Sequence, residues 1–175
     1  MNTRTRIISA GQELPIGDLD GKIIISQAKD IYKSGIDPDF KKFGLDKPSR
    51  PTQKINAVVS EMTADGTFLQ IFKDIDPDLD KSVLTMSQII KFCESHPDWL
   101  PRNGFGTFFL TKKMNIFLRI FNFILKIFFK KINLGKYFVV RVRVYADGLF
   151  VYVRRLGHDG VWRGEFRRRV VSPQL

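Results

Sequence analysis

The side chains with most chemistry to offer fall into three groups. The first is Cys93 with His96, a thiol and an imidazole three residues apart. A thiol becomes a nucleophile when a neighbouring imidazole takes its proton and a third group orients that base. No acid is placed to complete the set, so the pair predicts no nucleophilic chemistry. The second group is Asp76, Asp78 and Asp80, carboxylates at alternate positions as in a calcium loop. Such a loop needs Gly at its sixth position and Glu at its twelfth. Lys81 and Ser87 stand there instead, and the calcium reading fails. The third group is Arg141, Arg143, Tyr145, Phe150, Tyr152, Arg154 and Arg167, cations interleaved with rings. Guanidinium groups pair with phosphate oxygens, and rings stack on bases. Only this group points to a ligand.

The elements that must position it are strands. Asp147-Gly148 separates two alternating β-branched runs, which is the strongest short hairpin signal. A two-residue loop there pairs Tyr145 with Phe150, Arg143 with Tyr152 and Arg141 with Arg154. Val142, Val144, Leu149, Val151 and Val153 then share a core face, and the arginines and rings share the other. Like charges opposite each other, as at Arg141 and Arg154, destabilise a sheet. A second turn at Gly157 to Gly160 leads into a third strand over Val161 to Val171, with Phe166 on the core side and Glu165, Arg167 and Arg169 on the polar side. A strand over Gly106 to Lys112 pairs with the start of the hairpin and makes a sheet of about four strands.

Charge is unevenly placed in the 175 residues. Residues 1–104 hold 14 Lys/Arg and 15 Asp/Glu, a net of −1; residues 105–175 hold 15 and 3, a net of +12. Such asymmetry favours an anionic partner: nucleic acid, an anionic membrane surface or an acidic protein. A single cysteine excludes an intramolecular disulfide framework and suits a reducing compartment. With two histidines, it also excludes a four-ligand zinc site from Cys and His alone. The start lacks the apolar core of a secretory signal, so a cytoplasmic location is expected. No Gly-rich phosphate loop follows a strand. No cofactor, no metal site and no enzymatic activity are expected.

Earlier in the chain the pattern is helical. Lys22 to Lys33 places Ile24, Ala28 and Ile31 on one face. Three short segments then repeat the i, i+3, i+4, i+7 template: Ile55, Val58, Val59 and Met62; Phe68, Ile71, Phe72 and Ile75; Met86, Ile89, Ile90 and Cys93. Thr85 with Gln88 forms a capping box for the last. Asp37 to Pro51, with three prolines, reads as a linker. The expected fold is α+β: short amphipathic helices packed on a C-terminal antiparallel β-meander of about four strands. Residues 1–50 form an N-terminal segment and linker, and 51–175 form the α+β domain.

Ser87-Gln88-Ile89-Ile90-Lys91-Phe92-Cys93, Gly106-Thr107-Phe108-Phe109-Leu110 and Val170-Val171-Ser172-Pro173-Gln174-Leu175 resemble an uncharacterised family of small proteins from uncultured bacteria of reduced genome size. The resemblance covers roughly residues 52–175 and implies no activity. It also implies a short turn between the first two sheet strands, and here the chain departs. Residues 114–134 are instead a helical insertion between those strands. Asn115, Arg119, Asn122, Lys126, Lys130 and Asn133 fall within an arc of roughly 80° on a helix, and nearly all the rest is apolar. Arg119 and Lys126 interrupt the run and argue against a span. An interfacial helix suits it better, with Phe117, Ile120, Phe121, Ile124 and Phe128 in the membrane and Arg119, Lys126 and Lys130 at headgroups. Packing across the sheet and a protein interface are the competing placements.

Two binding readings result. One is docking on an anionic membrane through the inserted helix and the basic sheet. The other is single-stranded nucleic-acid binding on the basic, aromatic face, with Arg141, Arg143, Tyr152, Arg154 and Arg167 as anion-binding residues. A protein-interaction subunit is a third possibility, and oligomeric state is not legible.

Overall fold

A computed structural model describes residues 3–102, 104–113 and 134–174. The inserted segment, including Phe117, Arg119, Ile120, Phe121, Ile124, Lys126, Phe128 and Lys130, lies outside them. The fold is α+β, as expected, but mostly sheet. Among the described residues eight strands occur: β1 (Thr5–Ile7), β2 (Pro15–Ile16), β3 (Gly35–Ile36), β4 (Ile55–Met62), β5 (Thr107–Lys112), β6 (Tyr137–Tyr145), β7 (Gly148–Arg155) and β8 (Arg169–Pro173). Three α-helices accompany them: α1 (Asp39–Lys42), α2 (Phe68–Ile75) and α3 (Met86–Ser95). The strand order is β1-β4-β8-β5-β6-β7-β3, with β2 beside β4. Two of these pairings are parallel, β3 with β7 and β5 with β8, so the sheet is mixed.

A four-stranded antiparallel meander is therefore not what forms. β5, β6 and β7 are consecutive antiparallel neighbours as expected. The next strand does not continue the meander. The chain leaves β7, crosses one face of the sheet, and enters β8 between β5 and β4. The expected strand over Val161 to Val171 is broken by a 3-10 turn at Gly164–Phe166 and by Arg167, whose backbone is left-handed at φ 45°. That residue ends the alternation from which its neighbours' facing was read. Phe166 is half-buried rather than core.

Ile55–Met62 is a strand, not a helix. Its apolar residues fit a helical template because β4 is covered on both faces, which abolishes period-two alternation. The β-branched Ile55, Val58 and Val59 favour the extended state. Lys22 to Lys33 holds only a 3-10 turn at Ile25–Gln27, and its buried residues are Ile25, Ala28 and Tyr32. The other two helices form as their stripes predict. Each begins with a complete capping box, Thr67 with Gln70 and Thr85 with Gln88. The two reciprocal hydrogen bonds of a capping box satisfy donors that every helix start leaves open.

Two apolar layers sandwich the sheet. On one face Val59, Phe109, Val140, Val153 and Val171 meet α3 and the N-terminal segment. Leu14, Ile16, Tyr32, Phe40 and Leu45 of residues 1–50 belong to that same core. On the other face Phe108, Leu110, Val139 and Val170 meet Phe68, Ile71 and Phe72 of α2. This second layer covers only part of its face, and the candidate site begins where it stops.

Candidate anion-binding cleft

Along β6, the residues of the second face are Tyr137, Val139, Arg141, Arg143 and Tyr145. The first two are buried, the arginines are half-buried and Tyr145 is exposed. The hairpin pairs them two residues away from their expected partners. Tyr145 pairs with Gly148, Arg143 with Phe150, Arg141 with Tyr152 and Val139 with Arg154. The turn residues are Ala146 and Asp147, and Gly148 takes the positive φ of 139°. The slip moves each partner by two residues, so every side chain keeps its expected face. It also removes the repulsive pairing of Arg141 with Arg154. Arg141 instead lies 5.7 Å from the Tyr152 ring, in a cation–π contact.

A loop forms the opposite wall. Trp162 exchanges backbone hydrogen bonds with Gly66, at 2.8 and 3.0 Å. Gly164 packs against the backbone of Ala64 so closely that a Cβ would lie 2.5 Å from Ala64 N, and its own N–H donates to Asp65 Oδ1 at 2.8 Å. Trp162 is thereby held over Phe68 and Phe108, with ring centroids 5.0 and 5.1 Å away. Between this loop and the strands lies a cleft of about 350 Å³. Arg141, Arg143, Tyr152 and Arg154 line it from the strands, and Phe68, His158 and Trp162 complete the lining.

Three guanidinium groups gather here. Arg141 lies 5.1 Å and Arg168 5.0 Å from the Trp162 ring centroid. Arg168 also sits 4.8 Å from the Phe166 ring, which stacks on Phe105 at 4.7 Å. Arg143 donates its Nε–H to the carbonyl of Gly104 at 2.9 Å and lies 5.0 Å from the Tyr145 ring. None of the three has a carboxylate partner among the described residues. Burial, then the like charges of Arg143 and Arg168, push the Arg141 guanidinium down to about 10. Burial, then Arg143, lowers that of Arg168. Both remain cations at neutral pH, held at a cost. The Tyr152 hydroxyl is raised chiefly by its 3.0 Å hydrogen bond with Tyr145.

Of the sequence-derived anion set, Arg141, Arg143 and Tyr152 come together. Arg154 lines the cleft, but its Nη1 donates to Asp37 Oδ2 at 3.1 Å and stands 3.9 Å from Asp39. Arg167 stands exposed on the turn beyond Phe166. Its neighbour Arg168, only 8% exposed, is the one turned inward. Sequence alternation assigns Arg168 to the core side and Trp162 to no role. The signal that could have found them is composition: Trp162, Phe166 and Arg168 sit in a short loop rich in Gly and Arg.

The other candidate groups are consumed structurally. Asp76 and Asp78 accept from the backbone N–H groups of Asp78 and Asp80, at 2.7 and 3.2 Å. Asp80 accepts from Tyr137 Oη at 2.7 Å and Lys112 Nζ at 2.9 Å. Cys93 is buried beside Tyr32, and burial pushes its thiol up to about 12. The His96 ring sits 2.9 Å from the carbonyl of Pro15 and makes no set with Cys93. Among the described residues no cluster of His, Cys, Asp or Glu could hold a metal ion. No helix among them is long and apolar enough to cross a membrane. The chain matches no family model, no curated protein and no solved structure.

Proposed function

We propose that this chain is a non-enzymatic binding module for single-stranded nucleic acid, which it takes on the arginine and aromatic face of β6 and β7. One observation carries the reading. Arg141, Arg143 and Arg168 crowd together without a carboxylate beside a ladder of rings. Crowded, half-buried cations that lower one another's pKa gain most from an anion that replaces the lost water. The rings narrow the choice of anion. Phe150 stacks on Tyr152 at 4.3 Å and meets Tyr145 edge-on at 6.4 Å, and Tyr145 is exposed at the end of the row. Such a platform suits unpaired bases, whose faces a duplex keeps stacked on one another.

The test is fluorescence anisotropy with a labelled single strand, its duplex and anionic vesicles as competitor. Single-strand binding should fall with salt, and Arg143→Ala should reduce the logarithmic slope by about 0.7. Tyr145→Ala should weaken binding by roughly 1–3 kcal/mol. Vesicle binding without single-strand binding would replace this reading with membrane docking, which draws on residues 114–134.

A further inference from the structure

Phe68 lines the cleft, packed on Phe108 at 5.1 Å and on Trp162 at 5.0 Å. The cleft volume of about 350 Å³ is at the small end of ligand pockets, which run from about 300 to 1,000 Å³. That is room for one nucleotide-sized group.

Donors without partners gather around Trp162, beside the cleft. Arg141 Nε, Arg168 Nε and Trp162 Nε1 are buried and have no hydrogen-bond partner among the described residues. Native proteins rarely leave buried donors unmatched, and three around one indole is a concentration that needs a reason. Arg168 itself is more than nine-tenths buried. His158 adds a fourth donor. The Gly160 N–H donates to His158 Nδ1 at 2.9 Å, which makes Nδ1 the acceptor and leaves the neutral ring's proton on Nε2. His158 lines the cleft with Arg141 and Arg143.

Charge decides which phosphate fits. An internal phosphodiester carries one negative charge and two free oxygens. A terminal phosphomonoester carries about −1.5 to −2 at pH 7 and three acceptor oxygens. Arg141 and Arg143, which line the cleft with no carboxylate partner among the described residues, beside the buried Arg168, match the second better. Resting on the single-strand reading above, we infer that the cleft at Arg141 and Arg143 is a socket for a terminal phosphomonoester. The protein then takes a strand by its phosphorylated end, with the following bases on the Tyr152, Phe150 and Tyr145 ladder.

Gly106 supplies a way to test the socket without removing charge. The Arg141 side chain crosses Gly106, and a Cβ there would lie 2.7 Å from Arg141 Cγ and Nε. Gly106→Ala therefore displaces the Arg141 side chain while keeping every positive charge. The experiment uses full-length protein and one single-stranded octamer in three forms: 5′-phosphorylated, 3′-phosphorylated and hydroxyl at both ends. One phosphorylated form should bind about tenfold or more tightly than the hydroxyl form, and the arms identify which end. Arg141→Met and Gly106→Ala should each shrink that ratio towards one. Tyr145→Ala should weaken all three forms by a similar factor and keep the ratio, and thermal melts of each variant check that it is folded. Equal binding of all three forms by the wild type would overturn the socket and leave the single-strand reading standing. No binding of any form would overturn both.

Discussion

Replacing Arg141 by Met should cost the fold almost nothing, although Arg141 is half-buried in a well-packed wall. Its guanidinium is pushed down from its ordinary value to about 10 by burial and by Arg143 and Arg168. Taken at face value that corresponds to about 3.4 kcal/mol of penalty on the charged form. The group is partly in water, so screening leaves roughly 1–2 kcal/mol. Against this stand the cation–π contacts with Tyr152 and Trp162, worth about 0.5–1 kcal/mol each. Met keeps the stem's apolar packing. The two sides nearly cancel, and the net change should lie within about 1 kcal/mol. A cation's lowered pKa means that the folded state holds the proton less tightly. The penalty is therefore present at neutral pH and relieved only as pH rises through about 10, so the comparison should not vary from roughly pH 5 to 9. Urea unfolding of both proteins, read from midpoint and slope, measures the difference. Removing one member of a buried ion pair costs about 3–5 kcal/mol. A loss above about 2 kcal/mol would show that Arg141 has a structural partner, and the reading of an unneutralised site would fail. If it holds, ligand at a hundred times its Kd should stabilise the wild type by about 2.7 kcal/mol more than a variant that no longer binds.

Phe72→Ala and Ile90→Ala should each cost about 2–5 kcal/mol in the same unfolding assay, since both side chains are at most 2% exposed in opposite layers of the core. Asp80→Asn should cost about 1 kcal/mol at pH 7, discounted for exposure. Burial alone would raise that carboxyl, but hydrogen bonds from Tyr137 and Lys112 outweigh it and hold the pKa below the ordinary 3.8. A lowered acid stabilises the fold above its unfolded pKa and loses that contribution as pH falls through the folded value. The gap between wild type and Asp80→Asn should thus close below about pH 3.8 in an acid-unfolding series.

The helices α2 and α3 were legible from their stripes, and α3 also from its capping box. Phe68, Ile71 and Phe72 are all fully buried, and Met86, Ile89, Ile90 and Cys93 are at most 5% exposed. The facing of the hairpin was legible too, because a slip of the partner by two residues preserves parity. Its exact turn was not. The backbone at Asp147 does not take the positive φ that the expected turn demands, and its carboxylate accepts from Ser34 Oγ at 2.6 Å instead. That long-range contact cannot be seen in a local pattern. β4 was missed for a different reason. In a sheet covered on both faces, Ala57 and Val59 point to one layer and Met62 to the other, and the period carries no information. β8 was misplaced because its partners β4 and β5 are distant in sequence, and one left-handed residue, Arg167, resets which side chains turn inward. The same residue hides Arg168, the most buried of the site's cations.

Arg141 and Arg154 share a face of one hairpin, yet the protein treats them oppositely. Arg154 is given Asp37 and Asp39, and through Asp37 it ties the N-terminal segment to the sheet edge: Asp37 N–H also donates to Val151 O at 2.9 Å. Arg141 is given rings and two more cations. The contrast follows from where the second apolar layer ends. Val139 is covered by the layer that holds Phe68, while Arg141, two residues on, lies at its margin. At such a margin the floor is a hydrogen-bonded strand and the back wall is aromatic. Coulomb attraction is stronger there than on open surface, because less water intervenes. The donors are also fixed before any ligand arrives, through Gly106 beneath Arg141 and the Trp162–Gly66 hydrogen bonds behind it. A ligand held there need order little of the protein, so most of its contact energy should appear as affinity. A site of this kind sits at the edge of the core because only there can a cation be rigid, weakly solvated and still reachable.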